Sequence, residues 1–173
     1  MRSLKLALLA TAAVAAFSSA AAAADLIVDV PIEEPIIDNS FSFDGAYMGA
    51  FLQGQAGGFA TTFGLGVNFG VNALMDNVLI GAEVEGVALL GPDFSGQITG
   101  KIGGLVSDSA IIYAYSGLGS RTPTSFYVPV GVGAEVAIAD NVGLKGEVQY
   151  NWDLTGPAAQ NSVAAKVGLN FHF

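Results

Sequence analysis

Seven ionisable side chains stand inside otherwise apolar stretches of this chain: Glu83, Glu85, Lys101, Glu135, Lys145, Glu147 and Lys166. Carboxylates and ammonium groups held close together can transfer protons, pass ions or lock one another in place. Nucleophilic chemistry has less support. A Ser-His-acid site needs three groups within hydrogen-bond reach. The sole histidine, His172, stands next to the last residue, and no serine lies in a nucleophile motif. The chain has no cysteine, which removes thiol catalysis and Cys-based metal sites. Gly64-x-Gly66 and Gly131-x-Gly133 do not open helices, so neither is a nucleotide loop. The Asp-containing turns lack the ligand spacing of a calcium loop. No catalytic residue, metal ligand set or cofactor is expected.

The elements that carry the ions are strands. From Asp44 onward, eight segments alternate apolar residues with small or polar ones: about 44–55, 61–73, 78–89, 97–106, 110–119, 126–138, 142–153 and 163–173. Alternation with period two is the mark of a strand with one apolar and one polar face. In 61–73, Phe63, Leu65, Val67, Phe69 and Val71 share one face, and Gly64, Gly66, Asn68, Gly70 and Asn72 share the other. Turn signals separate the segments at Ala56-Gly57-Gly58, Asp76-Asn77, Gly91-Pro92-Asp93, Asp108-Ser109, Asp140-Asn141 and Gly156-Pro157. The fifth segment has no clear phase, because Ile111, Ile112, Tyr113 and Tyr115 fall on both faces. Spans of mostly 10–13 residues suit tilted membrane strands of about 9–11 residues, whereas an average soluble strand is about half as long.

All seven ions fall on the minority face, among Gly, Ala, Asn, Gln and Thr. Such a face is a poor exterior for a soluble protein and a sensible filling for a narrow barrel. The predicted fold is therefore all-β: an eight-stranded antiparallel up-and-down transmembrane β-barrel with short loops. Glu135 and Lys145 are equidistant from the Asp140 turn and should face each other across a hairpin. Lys101 is placed opposite Glu83 or Glu85, and Lys166 within reach of Glu147 or Gln149. Eight strands enclose little more than side-chain volume, so a network that fills and registers the barrel is the reading favoured over a catalytic or conducting set. The inward glycines leave room for water, and a narrow conductance stays open. Tyr150, Trp152, Phe126, Phe171 and Phe173 fall near strand ends, as interfacial aromatic girdles do.

The ends of the chain agree. Arg2 and Lys5, an apolar run from Leu6 to about Phe17, and an Ala-x-Ala site before Asp25 read as a secretory signal peptide over 1–24, cleaved between Ala24 and Asp25. The mature chain then has four cations against 15 acids, a net charge of −11. No basic patch exists for nucleic acid. Residues 25–42 form an acidic leader interrupted by Pro31 and Pro35, and 43–173 form the barrel domain. The leader is a spacer, or a peptide that makes a periplasmic contact through 25–40. The chain is 52% hydrophobic and 12% charged, yet beyond the signal it lacks the run of about 18 apolar residues that a membrane helix needs. In lipid, the alternative that satisfies the backbone is a closed barrel.

Phe43-Asp44-Gly45-Ala46-Tyr47-Met48-Gly49 resembles the aromatic, Gly, Tyr, Gly opening of the first strand in small opacity-type, porin-like outer-membrane proteins. Tyr113-Ala114-Tyr115-Ser116-Gly117-Leu118 is similar to a Tyr-x-x-Gly-Gly-Leu segment of that family, with Ser116 in place of a Gly. The terminal Phe173, with Phe171, matches the C-terminal aromatic that the outer-membrane insertion machinery reads. The resemblance implies an integral outer-membrane protein of Gram-negative bacteria. It also implies a role in envelope integrity, with outer-membrane lipid and the insertion machinery as partners. The short loops depart from members that carry adhesive loops. A soluble periplasmic lipocalin-like binding protein and a barrel-embedded lipid-modifying enzyme are the other two readings. Deletion of Phe173 is expected to lower the yield of protein in the outer-membrane fraction; an unchanged yield would refute an insertion signal there.

Overall fold

Alternating segments of this length can satisfy every backbone hydrogen bond only by pairing in a ring, since an open sheet leaves two edges unpaired. The computed structural model describes residues 41–57, 60–90, 93–122, 125–155 and 161–173. The expected signal peptide, the Ala24–Asp25 cleavage site and the leader up to residue 40 lie outside the described residues. Eight strands follow in order: β1 (Gly45–Gly57), β2 (Ala60–Met75), β3 (Val78–Leu89), β4 (Phe94–Ser107), β5 (Ala110–Arg121), β6 (Ser125–Ala139), β7 (Val142–Asp153) and β8 (Ser162–His172). Each pairs antiparallel with the next, and β1 pairs with β8 from Tyr47↔His172 to Gly57↔Ser162, closing the barrel.

The two ends of the barrel differ. Three hairpins close in tight turns at Asp76-Asn77, Asp108-Ser109 and Asp140-Asn141, and the start of β1 and the end of β8 lie at that same end. Asp76 takes a left-handed φ of 53°, a conformation that Asp tolerates and that a two-residue hairpin needs. The other four connections are at the opposite end. There the strands run further than the alternation suggested. Phe94 and Ser95 pair with Ala88 and Val87, so β4 begins three residues before the expected 97.

Two assignments change. The fifth strand has a definite phase, with Ile111, Tyr113 and Tyr115 buried inside and Ile112, Ala114, Ser116 and Leu118 outside. Its pattern was ambiguous because the inner face is itself apolar near the turn end, where Ile111 packs with Leu79 and Phe43. Phe43 and Asp44, read as the opening of the first strand, precede it. The chain bends at Asp44, Gly45 takes a φ of +102°, and Phe43 is buried rather than paired in the sheet.

Inward glycines answer inward aromatics on the neighbouring strand. Tyr47 pairs with Gly70, Phe51 with Gly66, Tyr115 with Gly131 and Tyr113 with Gly133. Each ring lies flat over its glycine: a Cβ on Gly70 would come within 2.2 Å of the Tyr47 hydroxyl, and one on Gly131 within 2.5 Å of the Tyr115 ring. Gly70→Val is expected to cost about 1–3 kcal/mol, the usual penalty of overpacking. Gly100→Ala, whose Cβ would meet nothing nearer than 4.0 Å, should stay within about 0.5 kcal/mol. Urea unfolding of the two variants in detergent checks the contrast.

Candidate functional site

A narrow ring of strands leaves inward side chains one shared space, so what a residue touches depends on the facing wall as much as on its register partner. Glu83 and Glu85 project from β3, Lys145 and Glu147 from β7, Lys166 from β8 and Lys101 from β4, and all are buried. Lys145 Nζ lies 3.1 Å from a Glu83 oxygen, 3.5 Å from Glu85 and 3.5 Å from Glu147. Lys166 Nζ bonds Glu85 and lies 3.4 Å from Glu147. β3 and β7 stand four strands apart in a ring of eight, so the Lys145 bridge crosses the full width of the lumen.

Polar side chains complete the network. The Tyr47 hydroxyl donates to Glu83 at 2.6 Å and accepts from Lys101 Nζ at 2.7 Å. Tyr113 donates to Glu147 at 2.8 Å. Gln97 donates to Glu85 at 2.6 Å, and Gln149 donates to Gln97 at 3.1 Å. Asn68 donates to Glu83 and to Asn170, and Asn170 donates to Glu135 at 2.7 Å. Towards the loop end the chain of contacts passes from Gln149 to Asn151 and on to Ser162. Burying an ion without partners costs several kcal/mol, and each of these bonds offsets part of that cost.

Two expected pairs are not made as expected. Glu135 and Lys145 are register partners across the hairpin, yet Lys145 reaches for Glu83. Glu135 leans over Gly143, where a Cβ would lie 2.1 Å from its carboxylate oxygen. That lean carries it towards the turn end, where it meets His172 Nε2 at 2.6 Å. Lys101 stands opposite Gly81 rather than Glu83 or Glu85. It reaches Glu83 through Tyr47, with its Nζ 4.3 Å from the Tyr47 ring centre and 4.9 Å from that of Tyr113, distances at which a ring face attracts a cation. Lys166 does lie opposite Glu147.

Tyr47, Tyr113 and Tyr115 are functional members that the charge pattern alone does not disclose. Their signal was the glycine opposite each one, which only the strand register reveals. His172, next to the last residue of the chain, is buried beside Glu135 and stacks on Tyr47 at 5.3 Å.

The carboxylates of Glu83, Glu85 and Glu147 converge within 4.8 Å, a spacing that could grip a cation. The Lys145 ammonium already lies against all three, so the chain supplies its own cation. Outside the wall, Leu65, Val67, Phe69, Ile98, Ile102, Val132, Leu169 and their neighbours on every strand are exposed. Phe126 and Trp152 stand towards the loop end, and Phe171 and Phe173 at the turn end.

No protein-family model and no curated protein matches the chain. Among solved structures, it is similar to a de novo designed transmembrane β-barrel, with TM-score 0.55, 15% identity, and 76% of this chain and 98% of that one covered. It is also similar to Ail, the attachment invasion locus protein of Yersinia pestis, with TM-score 0.53, 9% identity, and coverage of 76% and 100%. A third likeness is to the N-terminal β-barrel domain of OprF from Pseudomonas aeruginosa, with TM-score 0.50, 14% identity, and coverage of 73% and 97%. At such low identity these likenesses establish the fold, the closed eight-stranded barrel of transmembrane proteins.

Lys145→Met is expected to destabilise the barrel by about 3–5 kcal/mol by leaving buried carboxylates uncompensated. The crossed contact makes a sharper forecast. In unfolding experiments, Lys145→Met should be non-additive with Glu83→Gln by more than about 1 kcal/mol and additive with Glu135→Gln to within about 0.5 kcal/mol. The reverse pattern would restore the hairpin pair.

Proposed function

We propose that this protein is an integral outer-membrane barrel of the small opacity-type, porin-like kind in a Gram-negative envelope, with a structural role and a lumen that conducts little or nothing. The observation that carries the reading is the inversion of polarity. Large apolar side chains face outward on all eight strands, while Glu83, Glu85, Lys101, Glu135, Lys145, Glu147 and Lys166 are enclosed. An apolar surface that encircles a protein is far larger than the few hundred Å² that soluble monomers expose, and lipid is the solvent it suits. Outer-membrane lipid is then the partner of that surface, and the insertion machinery the partner of the chain during assembly. Aromatics towards both rims support the same placement.

A lipocalin-like binding protein needs the opposite arrangement, with apolar residues around a ligand and polar ones in water. For a lipid-modifying enzyme, the acids and His172 would have to reach lipid, whereas they are buried within the wall and bonded to one another. Lys145 and Lys166, bridging across the lumen, support the reading of a closed interior.

The protein is expected in the outer-membrane fraction, with a gel mobility that shifts on boiling. In planar bilayers the folded barrel should give no discrete channels. Recovery in a soluble periplasmic fraction without a heat shift would sink the membrane reading. Sustained unitary conductance would replace the structural role with that of a pore, and altered lipid in a deletion strain would point to the enzyme.

A further inference from the structure

The residues just before β1 do not continue the sheet. The chain bends at Asp44, and Gly45 takes a φ of +102°, a conformation that L residues with a side chain rarely adopt. Phe43 enters the turn-end mouth of the barrel and is 1% exposed. There it packs with Leu79 of β3 and Ile111, Tyr113 and Tyr115 of β5, while Phe41, Leu74 and Leu105 lie against the same cluster. Its ring stands edge-on to Phe41 at 4.6 Å and to His172 of β8 at 5.9 Å. One side chain therefore touches strands from several sides of the mouth.

The polar bonds of this segment are few. Asn72 Nδ2 donates to the Phe43 carbonyl at 3.0 Å, and the Leu74 N–H donates to the Asp44 carboxylate at 2.8 Å. The second bond has a reason in the topology. β2 runs past the start of β1, which ends its pairing at Gly45↔Asn72, so Leu74 lacks a strand partner on that side and Asp44 supplies the acceptor. None of these contacts belongs to a strand ladder. The cluster meets the ionic network at His172, whose ring contacts Phe41 and Phe43, bonds Glu135 and stacks on Tyr47, the donor to Glu83.

We propose that residues 41–44 are a removable stopper. Hinged at Gly45, they seat Phe43 in the turn-end mouth and keep water from the buried ions, and their release admits water without unpairing any strand. The proposal deepens the reading of a closed lumen and rests on it. Two separate closures act in series, an apolar one at the mouth and an ionic one at the centre. Loss of the first alone wets the network without creating a pore.

The absence of cysteine makes a single introduced thiol a clean reporter. Leu79→Cys places it in the cluster that Phe43 completes, where Leu79 is 0% exposed, and Ser107→Cys places a control at an exposed site near the same end. A small charged methanethiosulfonate is applied to the folded barrel, and only the heat-shifted band is scored. Reaction of a shielded site tracks the population of its open form, so L79C should react at least about tenfold more slowly than S107C. Phe43→Ala should raise the L79C rate by about tenfold and leave S107C unchanged. Asp44→Ala, which keeps the lumen packing and removes the acceptor for Leu74, should raise it several-fold and decides the matter if F43A does not fold.

The stopper is overturned if L79C reacts as fast as S107C with Phe43 in place, or if neither substitution changes its rate. Channels in the unmodified protein would instead overturn the closed-lumen reading, which the bilayer measurement reports separately from the thiol assay.

Discussion

Lys145 and Lys166 reach from one wall of the barrel to carboxylates on the facing wall. The remainder of the interior is arranged around those crossings. Four buried glutamates share the space with three lysines and the Glu135-bound imidazole of His172. A lone buried ion would be expensive, and burial strengthens each contact that is made. Tyrosines, asparagines and glutamines take up the acceptor positions that the lysines leave. Two carboxylate oxygens, Oε1 of Glu85 and Oε2 of Glu147, have no hydrogen bond and rely on ammonium groups at 3.5 Å and 3.4 Å.

The glycines make this crossing geometry feasible. A lumen bounded by eight strands is nearly filled by side chains. Rings of the size of Tyr47, Tyr113 and Tyr115 fit inside because each lies on a glycine of the adjacent strand rather than projecting into the centre. Gly143 plays the corresponding part for Glu135, and by letting that carboxylate lean away it frees Lys145 to cross. Backbone economy on one strand thus decides which ions meet on others.

Much of this was legible from alternation alone. Strands β3 and β7 have the bounds that the pattern of Val78–Leu89 and Val142–Asp153 indicates: β7 keeps its polar residues on one face throughout, and in β3 the central Glu83 and Glu85 fix the phase although Leu79, Val87 and Leu89 share their buried face. The inward placement of the seven ions follows from the same parity. The contacts among them were not legible, since parity assigns a face and says nothing of reach across a closed ring. The hairpin rule placed Glu135 beside Lys145 correctly in register and failed as a statement of contact. β5 resisted a phase because Ile111 belongs to an apolar layer inside the barrel, where the contrast between inside and outside disappears. Phe43 was misplaced in β1 because aromatic-x-Gly-x-Tyr alternates as a strand does, and the φ of Gly45 leaves no trace in that pattern.

The bonds that join the interior are long in sequence. Lys166 and Glu85 are 81 positions apart, and Asn68 and Asn170 are 102. A sheet of the first four or five strands would therefore hold Glu83 and Glu85 without their ammonium partners from β7 and β8. Before β7 and β8 join, the four strands β3 to β6 carry Glu83, Glu85 and Glu135 against Lys101 alone, and Lys145 and Lys166 supply the missing cations when the ring closes. The interior acts as a check on completeness: partial sheets are penalised, the finished ring is rewarded, and assembly becomes close to all-or-none.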